Sequence, residues 1–320
     1  MPEIKRYDDK KMNLLVRVSQ MYYEDNLSQE EVAKELRCSR PYISRLLTEA
    51  KEIGIVQVRV VPPQNYESEM EQELRVLAGL DKVIIAPDKT NISRQINVGR
   101  RAVAYLESIV KNGDIIGFSW GNTIFSVTSL LNKTRDFVDA TVVQLCGGVS
   151  DLQNNIYSSE IAKNFSKAWG AKAFAPVCPA LVDSRQLKEM FLSETNVSKV
   201  MELAYDANVA LITMGSYGQQ NALCRAGYLS EEEMFRLIEK GAVGDICAHI
   251  IDSEGNICDR ELDERTVSVP LEKIKEKKRR IGVAVGQSKV ECICAAIRGK
   301  IINVLITDEE TALLVLERMK

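Results

Sequence analysis

The sequence predicts a two-domain α/β protein: a small N-terminal winged helix-turn-helix domain, then a large, doubly wound, mostly parallel α/β domain. Three observations carry this expectation. Residues 10–54 hold three short helical patterns separated by capping and turn signals. From residue 83 onward, eight short apolar runs alternate with helical patterns, as in a sheet whose parallel strands are joined by helices. Five strand ends carry glycine or small polar residues, and such sheets hold ligands beyond the carboxyl ends of their strands. A chain of 320 residues is long enough for one small and one large core. The expected boundaries are 1–61 for the first domain, 62–80 for a linking helix and 81–320 for the second.

Residues 10–24, KKMNLLVRVSQMYYE, place Met12, Leu15, Val16, Met21 and Tyr22 near one face of a helix. Asp25-Asn26-Leu27 breaks it. Ser28 opens S-Q-E-E, with Glu31 three residues on, a capping-box pattern that starts a second helix. That helix, over roughly 28–36, turns Val32, Ala33 and Leu36 inward. Arg37-Cys38 makes a tight turn. Ser39 can cap a third helix, Pro41 is tolerated in its first turn, and Gly54 can end it in a left-handed conformation. Ile43, Leu46 and Leu47 form its inner stripe. Residues 55–61, IVQVRVV, alternate and read as a strand, one arm of a wing.

The outer face of the third helix carries Ser39, Arg40, Tyr42, Ser44, Arg45 and Thr48. An α-helix fits the major groove of DNA, and residues near its start reach base edges and phosphates. Arg40 and Arg45 can bind guanine or phosphate with two hydrogen bonds; Ser and Thr hydroxyls suit phosphates. Ser28 and Gln29, where the second helix begins, are assigned to the same interface. The acidic residues 30, 31 and 35 are expected to face elsewhere.

Pro62-Pro63 closes the first domain, and 66–79, YESEMEQELRVLAG, reads as a charged amphipathic helix that links the domains or mediates pairing. Expected strands follow at 83–86, 114–119, 141–146, 172–177, 209–215, 246–251, 281–286 and 302–307. Expected helices lie near 92–111, 122–132, 157–169, 185–206, 230–240, 289–298 and 309–319. The five strand-end loops are Ser119-Trp120-Gly121-Asn122-Thr123, Gly147-Gly148, Gly215-Ser216, Gly244-Asp245 and Gly286-Gln287-Ser288-Lys289. Each alone is a turn. Together, with Lys289 where a helix begins, they predict a small anion site. The spacing of Gly286 and Lys289 falls short of a P-loop and excludes an ATP site of that kind.

Composition narrows the function classes. Net charge is −3; residues 1–63 carry 11 Lys/Arg and 10 Asp/Glu, a net +1, so the remainder carries −4. A DNA interface must therefore arise from placed charges rather than bulk charge. No window approaches 18 apolar residues, so no membrane helix is expected. The charged start MPEIKRYDDKKMN shows no signal-peptide pattern, which leads to the expectation of a cytoplasmic protein. The eight cysteines, Cys38, Cys146, Cys178, Cys224, Cys247, Cys258, Cys292 and Cys294, form no C-x-x-C pair and read as free, packed thiols. Cys292 and Cys294 point to different faces of a helix. With His249 the single histidine, neither a metal site nor a cofactor is expected.

The stretch LSQEEVAKELRCSRPYISRLLTEAKEIGIVQVRV at 27–60 resembles the N-terminal helix-turn-helix of SorC/DeoR-type sugar-binding transcriptional regulators. GFSWGNTI (117–124), VVQLCGGVS (142–150), AVGDI (242–246) and GQSKVECICAAIRGKIINVLITDEETA (286–312) resemble that family's C-terminal blocks in order. SRPYISRLL, SWGNT, NIYS and AVGDIC are similar to the deoxyribonucleoside-type members. The resemblance implies a dimeric or tetrameric repressor of carbohydrate or nucleoside catabolism genes, released from double-stranded operator DNA by a phosphorylated sugar. It also implies an effector domain with the fold of sugar-phosphate isomerases and CoA transferases. By the same resemblance Gly121, Asn122 and Thr123 meet the phosphate, Gly147 and Gly148 line the sugar side, Asp245 accepts from a hydroxyl and Lys289 pairs with phosphate. Gly215, Gly286 and Ser288 complete the expected set. Some close relatives carry Lys at the position of Cys146; a thiol there offers neither charge nor amine.

The alternative is a sugar-phosphate isomerase-like enzyme. Enolisation needs a base beside the C–H bond. Asp245, Asp183 and Glu160 are the available carboxylates, and His249, inside AHIID, reads as a packed strand residue. No paired acid and base stand out, and shared fold does not establish chemistry. A third reading, in which the N-terminal helices serve assembly alone, predicts no salt-dependent DNA affinity.

Overall fold

The computed structural model describes residues 9–56, 67–88, 92–132, 139–148, 158–217 and 221–320. The chain divides into two compact units, Met1–Tyr66 and Glu67–Lys320.

The first unit is a three-helix cluster: α1 (Asp9–Tyr23), α2 (Gln29–Glu35) and α3 (Arg40–Glu52). The capping box forms as the sequence implies: Glu31 N donates to Ser28 Oγ at 3.3 Å and Ser28 N donates to Glu31 Oε2 at 2.8 Å. Ser39 occupies the N-cap of α3 in an extended conformation, but its hydroxyl makes no capping hydrogen bond. Pro41 lies in the first turn, and Gly54 follows the helix with φ +83°. The core is Leu15, Val18, Met21, Val32, Ala33, Ile43, Leu46, Leu47 and Ala50.

One expected face is corrected. Met12 and Val16 are exposed, and Val18 is buried in their place. Consecutive residues stand about 100° apart around a helix, so Val16 lies well round from Leu15 while Val18 and Tyr22 return to its side. Ile55 and Val56 form a bend against the core. The rest of the expected wing strand and Pro62-Pro63 fall outside the described residues.

Among the described residues the second unit contains a nine-stranded sheet. Its main path is β1 (Lys82–Ala86), β9 (Val304–Asp308), β8 (Arg279–Val283), β5 (Val209–Gly215), β2 (Ile115–Phe118), β3 (Thr141–Gln144) and β4 (Lys172–Phe174), all parallel neighbours. Buried strands of this kind need helices on both faces, which explains their continuous apolar runs. The helices are α4 (Glu69–Ala78), α5 (Arg94–Ile109), α6 (Asn122–Thr128), α7 (Ser158–Trp169), α8 (Arg185–Ser193), α9 (Thr195–Asp206), α10 (Ala222–Arg225), α11 (Glu231–Glu239), α12 (Arg260–Glu264), α13 (Leu271–Lys275), α14 (Val290–Arg298) and α15 (Glu309–Met319).

The helix expected over 66–79 is α4, and it packs on the sheet. Leu74 is fully buried, and the Glu71 carboxylate accepts from Ile85 N at 2.8 Å, which satisfies an outward N–H of edge strand β1. The expected strand 246–251 is instead an antiparallel hairpin, β6 (Ala242–Ile246) and β7 (His249–Asp252), hung on β5. Its turn residues, Cys247 and Ala248, have φ +51° and +69°. The expected helix 185–206 is two helices, α8 and α9. Between them Glu194 takes extended backbone and its carboxylate accepts from Asn196 N and Val197 N at 2.8 and 2.9 Å. Helix 122–132 stops at Thr128, and strand 172–177 stops at Phe174, ahead of Pro176.

Candidate effector pocket and nucleic-acid interface

On the first unit, Ser39, Arg40, Tyr42, Ser44, Arg45 and Thr48 are all exposed on α3 or at its start; Ser28 is exposed and Gln29 half-buried. The Thr48 hydroxyl donates to Ser44 O at 3.0 Å and keeps its acceptor capacity. One acidic residue departs from expectation: Glu30 Oε1 lies 4.0 Å from an Arg40 guanidinium nitrogen, beside the exposed face of α3. Both side chains are well solvated, so the pair contributes at most about 1 kcal/mol. Glu31 is committed to the capping box, whose hydrogen bonds from Ser28 hold its carboxyl below the usual range.

On the second unit a cavity of about 260 Å³ opens at the carboxyl ends of β2 and β5. Ser119, Trp120, Gly121, Asn122 and Thr123 line it after β2; Thr213, Met214, Gly215 and Ser216 line it from β5. Asp245 enters from β6, Cys247 and Ala248 from the hairpin turn, and Asn221, Ala222 and Arg225 from α10. Gln95, Val285 and Lys289 complete the wall.

Asp245 is the buried centre of this wall. Asn221 Nδ2 donates to Asp245 Oδ1 at 2.8 Å and to Ser216 O at 3.0 Å, while Asn221 Oδ1 accepts from Leu223 N at 2.8 Å. Burial raises the Asp245 carboxyl above the ordinary range; the Asn221 hydrogen bond and the nearby Lys289 ammonium pull the other way. Lys289 is half-buried in the 3-10 turn Gln287–Lys289, and its Nζ lies 3.4 Å from Ser216 Oγ. Desolvation lowers its ammonium below the usual lysine range, opposed by Asp245. Gly121 precedes α6 with φ +121°, and the first-turn residues Asn122 and Thr123, whose N–H groups have no acceptor within the helix, line the cavity with it.

Six of the ten expected effector residues therefore come together: Gly121, Asn122, Thr123, Gly215, Asp245 and Lys289. Four do not line the cavity. Gly147 and Gly148 are pinned by backbone bonds to Val267 O and Cys178 O, both at 2.8 Å; Gly147 O also accepts from Trp120 Nε1 at 3.1 Å, and Trp120 lines the cavity. Gly286 donates to Asp308 Oδ2 and Thr311 Oγ1, which tie it to the start of α15. Ser288 is exposed outside the cavity. Asn221, Arg225, Gln95 and Thr213 were not singled out in the sequence: Asn221 has no motif, and its partner Asp245 lies 24 residues away.

Cys146 is fully buried and does not line the cavity; burial first, then neighbouring charges, pushes its thiol well up, so it is no nucleophile. His249 is buried in β7 between the Asp263 carboxylate and Val269 O. Asp183 and Glu160 lie away from the cavity, so Asp245 is the one carboxylate among the described lining residues. All eight cysteines are free.

The comparisons with known proteins agree with this architecture. Residues 63–317 match the sugar-binding domain family. The chain is 36% identical over 309 residues to the deoxyribonucleoside regulator of Bacillus subtilis (strain 168), covering 95% of this chain and 97% of that protein. It is 28% identical over 309 residues to the sorbitol operon regulator of Klebsiella pneumoniae, covering 96% and 98%. The crystal structure of full-length SorC from Klebsiella pneumoniae superposes with a TM-score of 0.79 at 28% identity, over 97% of this chain and all of that one. These relatives are transcriptional regulators and not enzymes. The chain belongs to the SorC/DeoR-type family of sugar-binding transcriptional regulators.

Proposed function

We propose that this regulator holds double-stranded operator DNA through α3 and is released from it when a phosphorylated sugar fills the cavity beyond β2 and β5. The observation that carries the reading is the meeting of Lys289, Asp245 and the Gly121-Asn122-Thr123 turn in one small cavity at the carboxyl edge of a parallel sheet. Lys289 supplies the positive charge for phosphate, the start of α6 adds N–H donors, and the free lone pairs of Asp245 accept from sugar hydroxyls. On α3, Arg40 and Arg45 read bases or clamp phosphates, and Ser39, Tyr42, Ser44 and Thr48, with Ser28 and Gln29 beside them, fix the register. The protein works in the cytoplasm as a homodimer or homotetramer, so paired α3 helices meet two half-sites. It represses genes of carbohydrate or nucleoside catabolism; the likeness to a deoxyribonucleoside regulator and a sorbitol operon regulator supports that class of target.

Thermal unfolding of the full chain with 2-deoxyribose 5-phosphate, ribose 5-phosphate, glucose 6-phosphate or sorbitol 6-phosphate tests the site. A ligand at a hundred times its Kd stabilises by about 2.7 kcal/mol. At least one of these sugars raises the unfolding midpoint, and Lys289→Ala removes the rise. A midpoint unmoved by all four rules the reading out.

A further inference from the structure

The charged lining of the cavity, among the described residues, consists of Arg225, Asp245 and Lys289. Asp245 and Lys289 act on each other, each favouring the other's charged form against burial. Their charges offset, which leaves the Arg225 guanidinium as the net positive charge. Arg225 is exposed where Lys289 is half-buried, so it stands at the rim and the lysine deeper in the wall. Four exposed arginines of this unit are held by carboxylates: Arg94 by Asp88 and Glu310, Arg185 by Glu189, Arg236 by Glu232 and Arg318 by Glu291. The Arg225 guanidinium has no hydrogen bond or ion pair among the described residues. Its base is nevertheless fixed. Asn221, 1% exposed, caps the short α10 that carries Arg225 and bonds the pocket carboxylate Asp245.

Resting on the reading of the cavity as a sugar-phosphate site, we propose that Arg225 is a second anion contact, a specificity-determining residue that closes from the rim onto the effector's phosphate. A guanidinium presents a planar fork that binds phosphate with two parallel hydrogen bonds, where the Lys289 ammonium acts as a point charge. Without ligand the fork has no competing carboxylate to leave. A phosphate monoester carries about two negative charges, so one phosphate in this lining leaves roughly one negative charge uncompensated and two leave roughly three. The charge balance therefore favours a single phosphate over two, and the Arg225 fork, which pairs with phosphate, sets the sugar phosphate apart from its unphosphorylated parent.

Isothermal titration of the full chain with the four sugar phosphates above identifies the tightest. That sugar, its unphosphorylated parent and inorganic phosphate are then titrated into wild type, Arg225→Gln, Arg225→Lys and Lys289→Ala. Arg225→Gln raises the Kd for the sugar phosphate about 10- to 50-fold and flattens its dependence on salt. It leaves the affinity for the parent sugar unchanged, and Arg225→Lys restores part of the loss. The ligand-free unfolding midpoint of Arg225→Gln equals that of wild type, which separates a binding defect from a folding one. If Arg225→Gln binds the sugar phosphate as wild type does while Lys289→Ala has lost it, the proposal is overturned and the site reading stands. If wild type binds none of the four, both fall.

Discussion

Gly215 has no side chain because Asp245 occupies the space where one would stand: a Cβ there would lie 1.7 Å from Asp245 Oδ1. Gly244 meets the same crowding from Gly215 O and Cys292 Sγ at 2.5 and 2.6 Å. These two glycines let a buried carboxylate tuck against the end of β5, where Asn221 holds it. Gly215→Ala must push Asp245 aside, at a cost of about 1–3 kcal/mol. Urea unfolding will register that loss, and titration with the best sugar phosphate will register a weakened site. An unaltered site in Gly215→Ala would mean that Asp245 does not need this position. The sequence shows Gly215 as a strand end, but the reason for it is a side chain 30 residues on, and no local pattern announces that. For the same reason Asn221, with both ends of its amide used, stayed hidden among polar residues. On α3 the inner stripe of Ile43, Leu46 and Leu47 is enough to turn Arg40 and Arg45 outward, whereas the face of α1 and the place of Glu30 depend on packing that the local pattern does not carry. Arg45→Ala should weaken operator binding by roughly 1–3 kcal/mol and leave stabilisation by sugar phosphate untouched, as read by fluorescence anisotropy and thermal shift.

Elements were legible where their period was clean. Apolar runs such as VALITMG announce buried parallel strands, and β5 matches its expected span residue for residue. The misses share a cause. The hairpin β6–β7 turns on Cys247-Ala248, residues that seldom take positive φ, in place of the Asn-Gly or Asp-Gly that normally marks such a turn. The break between α8 and α9 is capped by Glu194, a residue type that usually continues a helix. In both places tertiary packing decided against local preference. The edge of the sheet carries a pH-dependent element. Glu67 bridges Lys82 at 2.8 Å and Arg75 at 3.1 Å, joining α4 to β1. The hydrogen bond from Lys82 first, and Arg75 after it, hold the Glu67 carboxyl below its usual range. A carboxyl depressed in the folded state contributes stability above its unfolded pKa of about 4.3 and loses it as pH falls through the depressed value. Glu67→Gln is therefore less stable than wild type near neutrality, by about 1 kcal/mol for a half-exposed cluster at the surface. In urea melts the difference shrinks toward zero well below about pH 4; a gap that persists in acid would assign the effect to packing instead of charge.

At the scale of the whole molecule, two separate cores carry two separate tasks. The three-helix cluster around Leu15, Ile43 and Leu46 presents α3, and the sheet around Phe118, Leu211 and Ile306 presents the cavity. A sugar phosphate can change DNA affinity only if it binds the DNA-free arrangement more tightly than the DNA-bound one. The most direct test uses the intact chain and duplexes that it selects from a random double-stranded DNA library. Anisotropy of a selected duplex is followed while the stabilising sugar phosphate is added. The expected result is tight binding that weakens steeply with salt and falls about 10-fold or more on addition of the sugar phosphate, with Lys289→Ala binding the duplex but no longer responding. A duplex that remains bound at saturating sugar phosphate, or a Lys289→Ala protein that releases it as wild type does, would mean that this cavity does not control DNA binding.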